Sequence, residues 1–270
     1  MRTVKLLSQC AIVTGGAQGI GLAVASRLMR EGTHVLVFGR TETKVVEAAE
    51  RLNREAEGRA RAVPFAGDVC RVDDVERAHE RATRELGLPG ILVNNAGTVS
   101  LSLLMDLPED ELDRLFAVNL KGPFLCLKTF ARALIARNQP GAVVNVSSLC
   151  QTVVSEGLGH YSASKAALAQ LSRAAALELG RHNIRVNVVA PGATHTPQAA
   201  AFIEGPTMHR ELLARTPLGR AHALADEVAR VVQFLCSEDS GWVTGESLDV
   251  DGGNHLRGLP NYWEALNPPR

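Results

Sequence analysis

The run CAIVTGGAQGIG, residues 10–21, goes from a short apolar stretch into glycines and out again into an apolar repeat of helical period. The apolar half, bounded by glycine, reads as a buried strand. The continuation GIGLAVASRLMREG, residues 19–32, reads as a helix closed by Gly32. Gly15, Gly19 and Gly21 let the chain turn tightly and let its backbone approach a pyrophosphate, whose charge then faces the N-terminus of the helix. The spacing is GxxxGxG rather than the commoner GxGxxG. The position between first strand and first helix therefore carries the reading, and the glycines alone do not.

Outward from this turn, short apolar runs alternate with longer amphipathic ones. Strands are expected at 34–39, 61–69, 90–97, 141–148, 184–192 and 246–253, and helices at 42–58, 72–87, 109–137, around Tyr161 and at 226–237. Apolar strands separated by helices predict an α/β fold, a doubly wound parallel sheet covered on both faces. No Pro/Ser-rich linker interrupts the alternation and no fixed repeat period runs through it. The chain is read as a single dinucleotide-binding and catalytic domain over 1–270, with 254–270 as a C-terminal tail.

Composition removes several classes of function. Lys plus Arg and Asp plus Glu are equal at 29 each, and no basic stripe is present, so neither nucleic acid nor an acidic membrane surface is expected as partner. Cys10, Cys70, Cys126, Cys150 and Cys236 are scattered without a CxxC spacing, which argues against a metal site or a disulfide framework and fits a reducing cytoplasm. No apolar run reaches the length of a membrane span, and the N-terminal apolar run is too short for a signal peptide.

Polar residues end otherwise apolar strands, at the carboxyl edge where ligands bind in such sheets. After the second strand comes Gly39-Arg40-Thr41, with Gly39 where an NAD site offers a carboxylate to the adenosine ribose. Arg40 either pairs with a 2′-phosphate, which favours NADP(H) over NAD(H), or is a solvated strand-end residue. Asp68-Val69 ends the third strand, where the carboxylate either meets the adenine amino group or serves as a turn or capping residue. Asn94, Asn95, Ala96 and Gly97 end the fourth strand, and Ser147 and Ser148 the fifth. Within HYSASK, residues 160–165, Tyr161 and Lys165 share one face of a helix.

With these features assembled, the chain resembles the short-chain dehydrogenase/reductase family from Thr14 to Gly253. The matches are TGGAQGIG, Asp68-Val69, NNAG at 94–97, Asn119 in VNLKG, Ser148, Tyr161-x-x-x-Lys165, PGATHT at 191–196 and DGG at 251–253. The resemblance implies a Rossmann-like sheet of about seven parallel strands and a nicotinamide cofactor. It implies an Asn119–Ser148–Tyr161–Lys165 catalytic set. It also implies cofactor contacts from Gly15, Gln18, Gly19, Ile20, Gly21, Arg40, Asp68, Val69, Asn95, Ala96, Gly97, Tyr161, Lys165, Pro191, Gly192, Thr194 and Thr196, with no metal. Gln18 stands where NADP-dependent members often carry a basic residue, so Arg40 is expected to act there without a second charge.

Each role has a physical argument. Hydride transfer to a carbonyl builds negative charge on oxygen, and Tyr161 is expected as the general acid, or the base in the oxidative direction. A free phenol has a pKa of about 10, and an ammonium about 4 Å away contributes on the order of 4 kcal/mol, so Lys165 is expected to lower Tyr161 towards neutrality. Ser148 is expected to hydrogen-bond the carbonyl oxygen, Lys165 to hold the nicotinamide ribose, Asn119 to anchor a proton-relaying water, and Thr196 to meet the carboxamide. Substrate contacts are expected from 98–101, 149–159 and 195–209, the last as a mobile lid. Their apolar, arginine-free composition predicts a neutral, largely apolar alcohol or ketone.

Two other functions remain open on this sequence: a non-catalytic dinucleotide-binding regulatory protein on the same fold, and an epimerase or dehydratase using the same Tyr and Lys. The intact Ser148, Tyr161 and Lys165 argue against the first. The short segment after DGG, where such enzymes carry a larger substrate domain, argues against the second. Small and apolar residues on more than one face of the helices near 109–137 and 160–181 predict helix–helix contacts about a two-fold axis, and the resemblance implies a homotetramer with the final strand at a second interface. Tyr262 and Trp263 in the tail are expected to dock across a neighbouring subunit, the alternatives being a tail packed on its own subunit or disordered.

Overall fold

The computed structural model describes residues 5–266; the first residues of the N-terminal run and the last four of the tail lie outside it. Seven strands form one sheet: β1 (Cys10–Thr14), β2 (His34–Gly39), β3 (Ala62–Ala66), β4 (Ile91–Asn94), β5 (Gly141–Val146), β6 (Ile184–Pro191) and, among the later elements, β9 (Ser247–Val250). Their order is β3-β2-β1-β4-β5-β6-β9 and every pairing is parallel. The order reverses between β1 and β4, which opens a crevice beyond their carboxyl ends.

Helices α1 (Gly19–Arg30), α2 (Glu42–Ala56) and, late in the chain, α9 (Ala225–Leu235) cover one face of the sheet. Helices α3 (Val72–Leu86), α5 (Gly122–Ile135) and α6 (Gly159–Leu179) cover the other. Val, Ile, Leu and Ala of both strand faces are buried between these layers, as expected for a parallel sheet with no solvated side.

The long helix expected over 109–137 is interrupted. It runs as α4 (Glu109–Phe116), a wide π-helical turn over Ala117–Lys121, then α5. The turn carries Asn119, which is fully buried. Hydrophobic periodicity does not register the one-residue insertion that a π-turn represents. Between β6 and β9 the chain leaves the sheet to form β7 (Thr194–His195), α7 (Ala200–Ile203), α8 (Pro206–Arg215) and β8 (Ala223–Leu224), with β7 and β8 paired in a small parallel sheet of their own. The C-terminal helix α10 (Tyr262–Leu266) packs on α8. The tail thus docks on its own chain, contrary to the expectation that it crosses to a neighbour: its aromatic Tyr262 finds an apolar cluster under the lid with Cys150, Leu158, Ile203, Met208, Leu212 and Ala221.

Candidate active site

Strand register sets the floor of the site. Thr14 is level with Asn94, and Asn94 with Asn145. The Asn94 amide donates to Asn145 Oδ1 at 2.8 Å, and Asn145 in turn donates to Ser172 Oγ on α6 at 2.7 Å. All four residues are buried. Each such bond contributes about 1 kcal/mol net, and removing one partner strands the other in an apolar layer at about 1–3 kcal/mol. The chain of bonds fixes β1, β4, β5 and α6 at one height.

Just beyond that level the glycine loop meets the end of β4. Thr14 Oγ1 accepts from the backbone N–H of both Asn95 and Ala96 at 3.0 Å, while Asn95 Nδ2 donates to the carbonyls of Thr14 and Gly15 at 3.2 and 3.1 Å. Gly15 has φ 62°. A Cβ on Gly21 would strike the Gly15 carbonyl, so the first turn of α1 passes too close for any side chain. Gln18 caps α1 without a side-chain hydrogen bond, and no acidic residue lies in the first turn, leaving the N–H groups of that turn free to receive an anion.

One cleft of about 420 Å³ runs from this loop to the lid. Gly15, Gln18, Gly19, Ile20, Arg40, Asp68, Val69, Asn95, Ala96, Gly97, Pro191, Gly192, Thr194 and Thr196 all line it, as do Ser148, Tyr161 and Lys165. Gly21 and Asn119, among the expected site residues, stand behind its wall. Asp68 is partly committed to the turn, since its Oδ1 accepts from Cys70 N at 2.9 Å. Thr196 Oγ1 accepts from Ala199 N at 3.2 Å at the start of the lid. Lys44, on the first turn of α2, lines the cleft beside Arg40. It supplies a second cation that the sequence reading did not expect.

Lys165 is buried and its Nζ donates to the Val146 carbonyl at 3.0 Å. The same Nζ lies over the Tyr161 ring, 5.8 Å from its centroid. Gly97 brings the loop against both groups: a Cβ there would lie 3.4 Å from Asn119 Oδ1 and 3.5 Å from Lys165 Nζ, in ordinary contact with each. Burial pulls the Lys165 ammonium down to about 8. Burial also pushes the Tyr161 phenol above its ordinary value, with the nearby Cys150 adding to the rise and a hydrogen bond from Ser148 opposing it. This corrects the expectation that Lys165 poises Tyr161 near neutrality. In this pocket desolvation raises the phenol, so at neutral pH it carries its proton.

Asn119 spends its amide on positioning. Its Oδ1 accepts from Thr98 N at 2.8 Å, and its Nδ2 donates to Thr98 O at 2.9 Å and to Ser164 Oγ at 3.0 Å. The side chain thus grips the loop after β4 from within the π-turn. Arg114 pairs with Glu111 through two bonds of 2.7 Å and donates to Thr98 Oγ1 at 3.3 Å. The guanidinium and the Ser100 hydroxyl hold Glu111 down to about 2. Ser100 Oγ lies 2.8 Å from Nε2 of His160, whose burial keeps the imidazole neutral at physiological pH. Thr98 and Val99, at the substrate end of the cleft, are therefore clamped to both α4 and α6.

A cradle of bare backbone beside an open helix N-terminus, leading to a buried lysine under a tyrosine ring, fits a dinucleotide with its reacting ring next to Tyr161. The family model described as "Enoyl-(Acyl carrier protein) reductase" matches residues 15–255. The chain belongs to the short-chain dehydrogenase/reductase family. The enzyme is 38% identical over 257 residues to 4-formylbenzenesulfonate dehydrogenase of Comamonas testosteroni, covering 94% of this chain and 100% of that one. It is 35% identical over 255 residues to (3R)-3-hydroxyacyl-CoA dehydrogenase of Rattus norvegicus, covering 93% and 97%. A solved short-chain type dehydrogenase/reductase from Mycobacterium ulcerans superposes with a TM-score of 0.92 at 29% identity, covering 98% of this chain and 96% of that one. With the family comes the reaction class: an NAD(P)-dependent oxidoreductase acting on CH–OH and C=O groups.

Sequence reasoning missed Thr14, Asn145 and Ser172 as the brace of the floor, and Lys44 at the rim. It also missed Leu259 and assigned Tyr262 to a neighbour, whereas both line the lid end of this chain's own cleft. The aromatic residues of the tail signal burial in the sequence, but only the docking of the tail brings them to the site.

Proposed function

We propose that the enzyme interconverts a neutral, largely apolar ketone and its alcohol with NADP(H), using Tyr161 as general acid and base. The observation that carries this reading is the junction of Ser148, Tyr161 and Lys165 with the glycine cradle in one continuous cleft. A bound nicotinamide dinucleotide supplies the hydride to the carbonyl carbon, or accepts it in the reverse direction. Ser148 donates a hydrogen bond that fixes the carbonyl oxygen, and Tyr161, protonated at neutral pH, delivers the proton that turns the developing alkoxide into an alcohol. Lys165 holds the nicotinamide ribose and places positive charge beside the phenol, and Asn119 keeps the loop at Thr98 in register.

Arg40 and Lys44 at the adenosine end support NADP(H) over NAD(H), since both suit a 2′-phosphate. The lid end supports the substrate class: Val99, Leu149, Cys150, Leu158, Phe202 and Ile203 surround it, and the cations lining the cleft are Arg40, Lys44 and, beside Tyr161, Lys165. Two features support a homotetramer. A groove lined by Phe116, Leu120, Phe124 and Leu171 crosses α4, α5 and α6, and Leu177, also on α6, is exposed. A cytoplasmic location is supported by five free thiols and by the lack, among the described residues, of a helix long and apolar enough to cross a membrane.

A panel of neutral ketones and alcohols assayed with NADP(H) and NAD(H), followed by nicotinamide absorbance, tests the reading. Turnover of apolar ketones with NADPH is the expected result. Retention of the dinucleotide through product formation without net absorbance change would favour an epimerase or dehydratase instead.

A further inference from the structure

The lid end of the cleft holds a second phenol. Tyr262 is 8% exposed and sits among Cys150, Leu158, Ile203, Met208 and Leu212 while also lining the cleft. It is held there from two directions. Ser155 Oγ donates to Pro260 O at 2.8 Å and accepts from Tyr262 N at 3.0 Å, and Asn261 Nδ2 donates to Glu156 Oε2 at 2.9 Å, which ties the tail to the loop before α6. Arg257 Nη1 donates to Ala214 O at 2.8 Å, which ties it to lid helix α8. The backbone is thus positioned closely, yet the phenol hydroxyl itself makes no hydrogen bond among the described residues.

On the wall of the cleft, that hydroxyl is available as donor and acceptor to a bound molecule. Two polar side chains of this wall are engaged elsewhere: Thr98 Oγ1 accepts from Arg114 at 3.3 Å and Gln198 Nε2 donates to Gly97 O at 3.4 Å. The electrostatic surroundings agree with proximity to the reacting groups, since both Tyr161 and Tyr262 feel the Cys150 thiol and each phenol is pushed up chiefly by burial.

We propose that Tyr262 is a specificity-determining residue whose hydroxyl hydrogen-bonds a second, uncharged oxygen group of the substrate, remote from the reacting carbonyl. The proposal rests on the oxidoreductase reading above and adds the recognition of a hydroxy-ketone or similarly bifunctional neutral substrate. A charged group in that position is disfavoured, because the cations lining the cleft are Arg40 and Lys44 at the adenosine end and Lys165 beside Tyr161, and an anion on the lid wall would be buried without a partner.

The test compares cyclohexanone with 2-, 3- and 4-hydroxycyclohexanone on full-length enzyme, wild type and Tyr262→Phe. Affinity of each ketone for the NADP+-loaded enzyme is read by calorimetry, so that no turnover is needed. Wild type is expected to bind at least one hydroxy-ketone about tenfold more tightly than cyclohexanone, a difference near 1.4 kcal/mol. Tyr262→Phe should erase that preference while leaving its melting temperature, its dinucleotide affinity and its cyclohexanone affinity unchanged. Tyr262→Ala should weaken all four ketones by opening the cluster. The proposal is overturned if wild type binds the four alike or binds none, or if Tyr262→Phe keeps the wild-type preference. The oxidoreductase reading fails separately, on wild type that binds a ketone but never consumes NADPH with it.

Discussion

The dinucleotide end of the cleft is built on strand ends of one sheet, whereas the lid end is built from loops, short helices and the tail outside the sheet. At the first, Thr14, Gly15 and Asn95 interlock within adjacent strands of one sheet. At the second, Ser155 holds Pro260 and Arg257 holds Ala214, tying the tail to the loop before α6 and to lid helix α8. The contrast explains how one scaffold keeps a fixed cofactor while its substrate varies. Backbone geometry tolerates little change, and a wall of apolar side chains on short helices tolerates much. Tyr161 and Lys165 stand at the seam, on a helix anchored to the rigid end.

The largest effect is expected at that seam. Tyr161→Phe should lower kcat at least ~100-fold, the scale of a lost general acid, and leave the dissociation constant of NADPH within about twofold, because the ring over Lys165 remains. Steady-state rates together with fluorescence titration of NADPH check it. A variant that keeps most of its turnover would remove Tyr161 from the chemistry and break the division between holding and reacting.

Next comes a change confined to the dinucleotide end. Arg40→Ala should shift the ratio of kcat/KM for NADPH over NADH by about thirtyfold towards NADH, in line with losing a charge-assisted bond to phosphate. Lys44→Ala should shift it less, since a lysine is a point charge without a fork. Substrate KM should not move in either variant. If the wild-type enzyme already prefers NADH and Arg40→Ala changes nothing, the two cations are merely solvated.

The converse change is deletion of residues 258–270, which keeps the Arg257 contact and removes Leu259 and Tyr262 from the cleft. Substrate KM should rise about tenfold, roughly the loss of one buried apolar side chain's contact, with dinucleotide KM unaltered. A dinucleotide KM that rises in parallel would mean that the lid and tail also carry the cofactor end.

These two ends were unequally legible in the sequence. The glycine turn, the strand order and the polar strand ends follow from local chemistry, so TGGAQGIG, NNAG and HYSASK disclosed them. The tail was expected on a neighbour because aromatic residues in a terminal segment announce burial without naming the surface they bury. Asn119 was expected to face a water because its type suits that task; only the fold shows its amide holding Thr98. The balance at Tyr161 was misjudged for a similar reason: the spacing to Lys165 gives a charge pair but no measure of how dry the pocket is.

That dryness has a consequence for pH, the smallest of the expected effects. Burial holds Lys165 down to about 8, so the cation is nearly complete at neutral pH and is lost as pH rises through that value. If the charged form is the one that receives the dinucleotide, the KM for NADPH should increase about fourfold between pH 7 and pH 8.5, the ratio of protonated fractions for such a group. Below pH 7 the curve should be flat, because the proton is already bound. Lys165→Arg offers the control: a guanidinium stays charged throughout, so its KM, whatever its magnitude, should not vary over this range. A wild-type profile that stays level to pH 10 would place the titration of Lys165 well above 8, and would mean that the carbonyl of Val146 compensates the buried charge more completely than desolvation penalises it.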